Sequence, residues 1–372
     1  MNHLLAVVLA TQVIAIRAGR VLDPETASAS LNQIILVQGG RIGAIGPNVA
    51  IPAGATVYDL SSATIIPGMI DSHVHLTIGG PVRANALANL RAGFTTVIDL
   101  GSRGTRLLRI RDSINAGEIP GPRVYAAGIW VGRKDGVCEF GGIGIAGGAE
   151  GFRQRVRDNV EAGADFIKVC VTGWPADAFA HPNDYELPDS TLKAVVDAAH
   201  AQRRRVIAHD ISHGGVKAGL AAGIDGLAHT AYLDAATAQL MRTRSVFMIP
   251  TLASLTAGTP GGGAAGQALI ASVGLAQRNG VRLVFGTDGG VLPHGQNAQE
   301  FVAMSGAGVP LAELLRSATT NAARALGLDS LGQIGQGMVA DLVALGADPR
   351  DDVTAYQRVR FVMSRGKVIV GP

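Results

Sequence analysis

Between residues 65 and 334 an apolar strand pattern alternates with a helical one, and this limits the fold more than any other feature of the chain. The strand pattern recurs eight times, at 65–76, 95–100, 124–131, 166–171, 206–210, 226–230, 247–251 and 283–288. Amphipathic stretches such as 150–162, 190–202 and 311–326 lie between or after these runs. Repeated strand–helix units imply parallel strands, and eight of them favour closure into a (β/α)8 barrel of TIM type. A doubly wound sheet is the competing arrangement.

The two ends of the chain read differently. Short strand patterns with turns fill 13–21, 33–37, 41–45 and 56–59, with Gly39-Gly40 as a hairpin turn, and recur at 341–345, 359–363 and 367–370. The expectation is an α/β protein: residues 65–334 form the catalytic barrel, and residues 1–64 with 335–372 form a small β-sandwich domain from both termini. Glycine-rich segments at 141–151 and 258–266 follow the third and seventh strand runs, which puts them on the C-terminal face as a lid or a flexible connection.

Composition excludes some functions. Apolar residues make up 47% of the 372, charged residues 16%, and the formal net charge is +3. No dense basic cluster interleaves with aromatics, so no nucleic-acid partner is expected. Arg203-Arg204-Arg205 reads as a solvated helix end before a strand. The two cysteines, Cys138 and Cys170, lack zinc-ribbon spacing and can form at most one bridge, so they do not decide the compartment. Residues 4–10 are apolar with a small-residue end but have no preceding Lys or Arg. Cytoplasmic location and a periplasmic or secreted one, with 4–10 as part of a signal, both stay open. No run is long enough to span a bilayer.

Polar residues at strand ends carry the chemistry. In Asp71-Ser72-His73-Val74-His75 the histidines are two apart on a strand, so both imidazoles leave the same face and can chelate a cation such as zinc. Alone, the pattern is common by chance. Lys168 lies inside the apolar run Phe166-Ile167-Lys168-Val169. It is either paired with a carboxylate or held neutral by desolvation, and a neutral amine can be carboxylated to a metal-bridging carbamate. His209 and His229 each close a strand at its last inward position, and Asp288 in Gly286-Thr287-Asp288 closes the eighth. A carboxylate there can bind a cation and exchange protons with its water. Any one of these histidines could be structural; together with the paired histidines they favour a metal site. His3 and His200 read as surface residues, while His181, His213 and His294 can reach the mouth from loops. His294 and Tyr232 are the candidate substrate contacts, with core packing the alternative for Tyr232.

These motifs resemble the amidohydrolase superfamily, in its imidazolonepropionase-like and prolidase-like branch. The resemblance rests on Pro67-Gly68-Met69-Ile70-Asp71-Ser72-His73-Val74-His75, Ala92-Gly93-Phe94-Thr95-Thr96-Val97 and Gly163-Ala164-Asp165-Phe166-Ile167-Lys168-Val169. It continues in Ala222-Gly223-Ile224-Asp225, Gly286-Thr287-Asp288 and Ala340-Asp341-Leu342-Val343, in the family's order along nearly the whole chain. It implies a two-metal centre, usually zinc: His73, His75 and Asp288 on the first cation, His209 and His229 on the second, carbamylated Lys168 bridging them. A bridging hydroxide would attack the carbonyl, with Asp288 moving the proton to the leaving amine. Relatives with this lysine include dipeptidases and carboxypeptidases, and Tyr232 matches a tyrosine that meets the substrate's carboxylate end.

Two loops depart from the family pattern. Glu139-Phe140-Gly141-Gly142-Ile143 lacks the usual histidine, and Thr172-Gly173-Trp174-Pro175 replaces Thr-Gly-Gly. The expected function is metal-dependent hydrolysis of an amide or peptide bond in a dipeptide or other small molecule. Lactone, ester or phosphotriester hydrolysis by the same centre is the alternative, and a non-catalytic ligand-binding barrel is a third reading. Ser212, three residues after His209, stands where mononuclear deaminases carry Glu. Small apolar residues recurring on the helices leave homo-oligomer contacts open.

Overall fold

The computed structural model describes residues 12–256 and 263–372. The apolar run 4–10, His3 and most of the glycine-rich segment 258–266 lie outside the described residues.

The two ends of the chain build one sheet. Its N-terminal strands are β1 (Ile14–Leu22), β2 (Ala29–Gln38), β3 (Arg41–Gly46) and β4 (Thr56–Pro67). The chain returns to it 274 residues after the end of β4, counting from Pro67 to Asp341, and the sheet order β14-β13-β12-β4-β1-β2-β3 interleaves both termini. Here β12 is Leu342–Leu345, β13 Val359–Ser364 and β14 Lys367–Val370. The join is the antiparallel pairing of β12 with the end of β4, from Leu342↔Pro67 to Leu345↔Thr64. Where a sandwich of two sheets was expected, hydrogen bonding gives a single seven-stranded sheet. Its alternate side chains, including Ile16, Ile35, Ile65, Leu342 and Phe361, bury a core of their own.

The intervening chain forms parallel strands with helices between them. A three-stranded sheet holds β5 (Met69–Val74), β6 (Phe94–Asp99) and β7 (Arg123–Ala126). A four-stranded sheet holds β8 (Ile167–Cys170), β9 (Val206–His209), β10 (Gly226–Ala228) and β11 (Phe247–Ile249). Single bridges join the two: Val131↔Val169 on one side, and Met248↔Leu283 with Val74↔Gly289 on the other. The eighth expected strand, 283–288, therefore runs as an extended segment between β11 and β5. Val284 N bonds Met248 O at 2.9 Å, and Ser72 N bonds Phe285 O at 2.9 Å. Continuous ladders thus cover two sheets rather than one closed ring.

Two further departures have local causes. The expected strand 65–76 is divided at Gly68: β4 stays in the end sheet while β5 enters the parallel layer. A Cβ at Gly68 would lie 2.2 Å from Thr95 Oγ1 and 2.8 Å from Asp341 Cβ, so only glycine lets the two layers meet there. The expected helix 311–326 is two helices, Leu311–Ser317 and Thr320–Leu326. At the break the carbonyls of Ser317 and Ala318 turn to accept from Phe285 N and Ile70 N.

The loop after β7 is a folded element rather than a loose connection. Arg133 bridges Ile145, Arg155 donates to the carbonyls of Trp130 and Ile143, and Cys138 is joined to Cys170 of β8 by a disulfide. Arg204 and Arg205 are likewise held, bonding the carbonyls of Ala164 and Ala325, so the basic run is more engaged than a solvated helix end. Among the described residues no helix is long and apolar enough to cross a membrane.

Candidate metal centre and its cavity

The alternation of the strand sends His73 of β5 and His75, the residue just beyond its end, to one side, where they meet Asp288. His73 Nε2 lies 3.3 Å from His75 Nε2, and Asp288 Oδ1 lies 3.4 Å and 3.2 Å from the two. One ligand atom from each of these three buried residues falls within 4.8 Å of the others. The His209 and His229 rings are 4.6 Å apart between centroids, and His229 is 4.9 Å from His73. Lys168, His209 and His229 line the same cavity of about 220 Å3 as the first three. All six metal candidates are thus brought together.

Fixed partners decide which nitrogen each imidazole offers. His75 Nδ1 lies 3.1 Å from the Gly101 carbonyl, which can only accept, so Nδ1 carries the proton and Nε2 presents a lone pair. His209 is turned the other way: its Nε2 donates to Gly173 O at 3.3 Å, leaving Nδ1. For His229, Thr251 Oγ1 lies 2.7 Å from Nδ1 and itself donates to Pro250 O at 2.7 Å. The hydroxyl must therefore accept from Nδ1–H, and Nε2 is free.

A second set of residues holds the frame. Asp99 accepts from Leu76 N at 2.7 Å and Gly101 N at 3.0 Å, so it fixes both the segment after His75 and the carbonyl that orients it. Asp71 accepts from His73 N, Thr287 N and Oγ1, and Asn297 Nδ2, tying β5 to the segment that carries Asp288. His229, Thr251 and Asp288 have φ of 73°, 53° and 57°, a left-handed backbone that costs non-glycine residues about 1–3 kcal/mol each and gathers at functional sites. Thr251, being β-branched, is the most strained of these.

The charge states suit cation binding. Burial pushes His73 and His229 well below the ordinary histidine value, and burial with the nearby Lys168 ammonium brings His209 down to about 4. They are neutral ligands at physiological pH. Burial raises Asp288, but His73, His75 and His229 outweigh it and hold the carboxyl well below the usual range. Lys168 is 2% exposed, its Nζ has no hydrogen-bond partner, and burial brings it down to about 7. Burial would lower His75 too, but the hydrogen bond of its Nε2 to Asp288 and the nearby carboxylate charge outweigh that and raise it, so a cation there takes the place of the Nε2 proton. Three neutral imidazoles, this fourth one, an ionised carboxylate and an orphaned amine form a donor set that fits divalent cations.

The two candidate substrate contacts lie apart from the cavity lining. Tyr232 Oη donates to Phe179 O at 3.2 Å. His294 has both nitrogens engaged, Nδ1 by Asn89 Nδ2 at 3.0 Å and Nε2 by Ile78 O at 3.2 Å. His213 faces Asp234 at 3.5 Å, and His200 faces Asp225 at 2.8 Å. Phe140 and Trp174, from the two loops that depart from the family pattern, line the upper wall, and with them Trp130, which sequence reasoning passed over. The signal was present: the only two tryptophans of the chain stand at or just beyond the ends of the third and fourth strand runs, on the face where barrel sites form.

Residues 64–369 match the model of the amidohydrolase family. Ochratoxinase of Aspergillus niger is 26% identical over 426 aligned positions, covering 97% of this chain and 87% of the fungal protein. A crystal structure of a Xaa-Pro dipeptidase with bound methionine superposes with a TM-score of 0.88 at 26% identity, covering 97% of this chain and 100% of that one. A structure from Bifidobacterium longum assigned as a prolidase gives 0.87 at 28% identity, over 96% of this chain and 95% of that one. The chain belongs to the amidohydrolase family, and with it to the hydrolases that act on amide and other C–N bonds, and it has a buried His-His-Asp group that could hold a metal ion.

Proposed function

We propose that this chain hydrolyses an amide bond at a centre of two divalent cations, with zinc the best match to its donors, at the mouth of an eight-stranded barrel spanning residues 65–334. His73, His75 and Asp288 would hold one cation and His209 and His229 the other, and Lys168, once carboxylated on Nζ, would be the ligand they share. The observation that carries this reading is the Lys168 amine: buried, without a partner, and brought down by burial to about 7. At a pKa of about 7 a large fraction of such an amine is the neutral nucleophile at physiological pH. Its lone pair bonds the carbon of CO2, a C=O pair moves onto oxygen, and an N–H proton leaves to solvent. A group that would repel cations becomes an anionic ligand.

Bound cations supply Lewis acidity and bring the pKa of water towards neutrality. The side chains do the rest. Asp288, ionised at neutral pH, takes a proton from the attacking water as its oxygen bonds the carbonyl carbon. When the C–N bond breaks, the electron pair stays on nitrogen and Asp288 returns the proton to it. His75, His209 and His229 keep their orientation through Gly101, Gly173 and Thr251. The Cys138–Cys170 bridge supports an oxidising compartment.

The test combines metal analysis, 13C NMR after equilibration with labelled bicarbonate, and kinetics on amides, lactones and phosphotriesters. Expected are about two zinc equivalents per chain, a carbamate resonance that Lys168→Ala lacks, and amides as the preferred class. Full turnover by Lys168→Ala, or a lactone or phosphotriester preferred over every amide, overturns the reading.

A further inference from the structure

Above the metal ligands the cavity changes character. Trp130, Val137, Phe140, Trp174, Leu255 and Val291 form its wall. The aromatic rings run as a connected path out of the centre: His75 to Trp130 at 5.4 Å, Trp130 to Phe140 at 4.7 Å, Phe140 to Trp174 at 5.7 Å. The path ends at solvent, where Trp174 is 51% and Val291 59% exposed. Large apolar side chains left open at a cavity mouth mark a surface that receives apolar matter.

The same wall offers an anion no cationic side chain. Among the lining residues Lys168 is the only Lys or Arg, and it is buried beneath the metal ligands. Arg103 and Arg106 line not this cavity but a neighbouring one of about 530 Å3, which shares Ile78, Trp130 and Phe140 with it. A free carboxylate held against this wall would lose hydration and find no Lys or Arg to pair with.

We infer that the substrate is an amide whose group beside the scissile bond is uncharged and apolar, an aromatic ring or branched alkyl chain held by Trp130, Phe140 and Trp174, rather than a dipeptide with a free C-terminal carboxylate there. This rests on the reading of the site as an amide hydrolase. The cavity of about 220 Å3 spans both this wall and the metal candidates, so the apolar group and the scissile bond share one compartment. The wall is preformed, since Arg155 fixes the Trp130 carbonyl at 3.1 Å and the disulfide pins Cys138 to β8.

Benzoylpyrrolidine and benzoylproline differ only by a carboxylate and make the test. Because the only tryptophans, Trp130 and Trp174, both line the cavity, their fluorescence reports binding without turnover, on zinc-loaded and metal-free protein alike. The neutral amide is expected to bind at least about tenfold more tightly than the acid, and to show the higher kcat/KM by a similar factor. Trp174→Ala should raise KM for benzoylpyrrolidine more than it lowers kcat, and Trp174→Phe should restore it. Benzoylproline binding as well or better, or no fluorescence response to the neutral compound, overturns the inference. If that preference for the acid disappears in Arg103→Ala, the carboxylate is being held across the ring pair. Tight binding of the neutral amide without hydrolysis of any amide would instead count against the hydrolase reading and leave the apolar site standing.

Discussion

Nδ1 of His229 and Oγ1 of Thr251 lie 2.7 Å apart, and the geometry of this one contact sets the tautomer of the imidazole. The hydroxyl is committed as a donor to Pro250 O, so it can only accept from the ring. Removing it frees the ring to rotate or change tautomer. Thr251→Val should weaken zinc binding by roughly 10–100-fold, as loss of an outer partner of a ligating histidine usually does. Thr251→Ser keeps the hydroxyl and should bind near the parent value. Competition with a chromophoric chelator measures both; equal affinities for Val and Ser would show that the contact orients nothing.

Glu300, which is not itself among the metal candidates, gives a pH prediction. Its side chain is fully buried, and its two oxygens accept from Leu252 N at 2.9 Å and Ala253 N at 2.7 Å. Burial pushes the carboxyl up from 4.5 to about 8. The folded state therefore holds a proton that the unfolded chain releases, and the sign follows. Its contribution is full below about 4.5, falls as pH rises, and levels off above about 8. Urea unfolding at a series of pH values should show the stability of the parent relative to Glu300→Gln declining across that window. A difference independent of pH would mean the carboxyl is ionised in the folded protein.

Much of this was legible along the chain, for reasons that also explain the gaps. The two-residue period of a strand puts His73 and His75 on one face, and an isolated lysine in the run around Lys168 declares itself by cost alone. Both need only local information. The nitrogen that each imidazole presents depends on Gly101, Gly173 and Thr251, which lie 26, 36 and 22 residues away from His75, His209 and His229. No local pattern carries that. The division at Gly68 is similar, because the residues that crowd it, Thr95 and Asp341, come from other strands. The segment 283–288 has the composition of a strand, yet its neighbours β11 and β5 each meet it through a single bridge, so pairing rather than sequence decides its regularity.

Gly68 yields a stability prediction. A methyl group there would press on Thr95 Oγ1 at 2.2 Å, Thr95 Cγ2 at 2.8 Å and Asp341 Cβ at 2.8 Å. Asp341 cannot retreat freely, because its carboxylate accepts from Arg123 at 2.8 Å and Arg365 N at 2.6 Å. Gly68→Ala should therefore cost about 1–3 kcal/mol of overpacking, read as a lower urea midpoint with an unchanged slope. Gly104→Ala, where an added Cβ meets nothing within 4 Å, is the control. Equal midpoints for the two variants would mean the layers can part at Gly68 at little cost.

The disulfide should matter to both stability and the cavity. Cys138 and Cys170 are 32 residues apart in sequence and 6.3 Å apart at Cα, and the chain has no other cysteine. Closing a loop of that length removes enough freedom from the unfolded chain to contribute about 3–4 kcal/mol. Cys138 also lines the cavity, while Cys170 lies two residues beyond Lys168 on β8. Thiol titration of the denatured protein should find no free thiol before reduction and both afterwards. Reduction should lower the urea midpoint and raise KM for an apolar amide, because the loop bearing Val137, Cys138 and Phe140 is no longer tied to the strand beneath it. A midpoint and a KM indifferent to reductant, with complete thiol exposure verified, would mean that packing around Trp130 holds this wall without the bond.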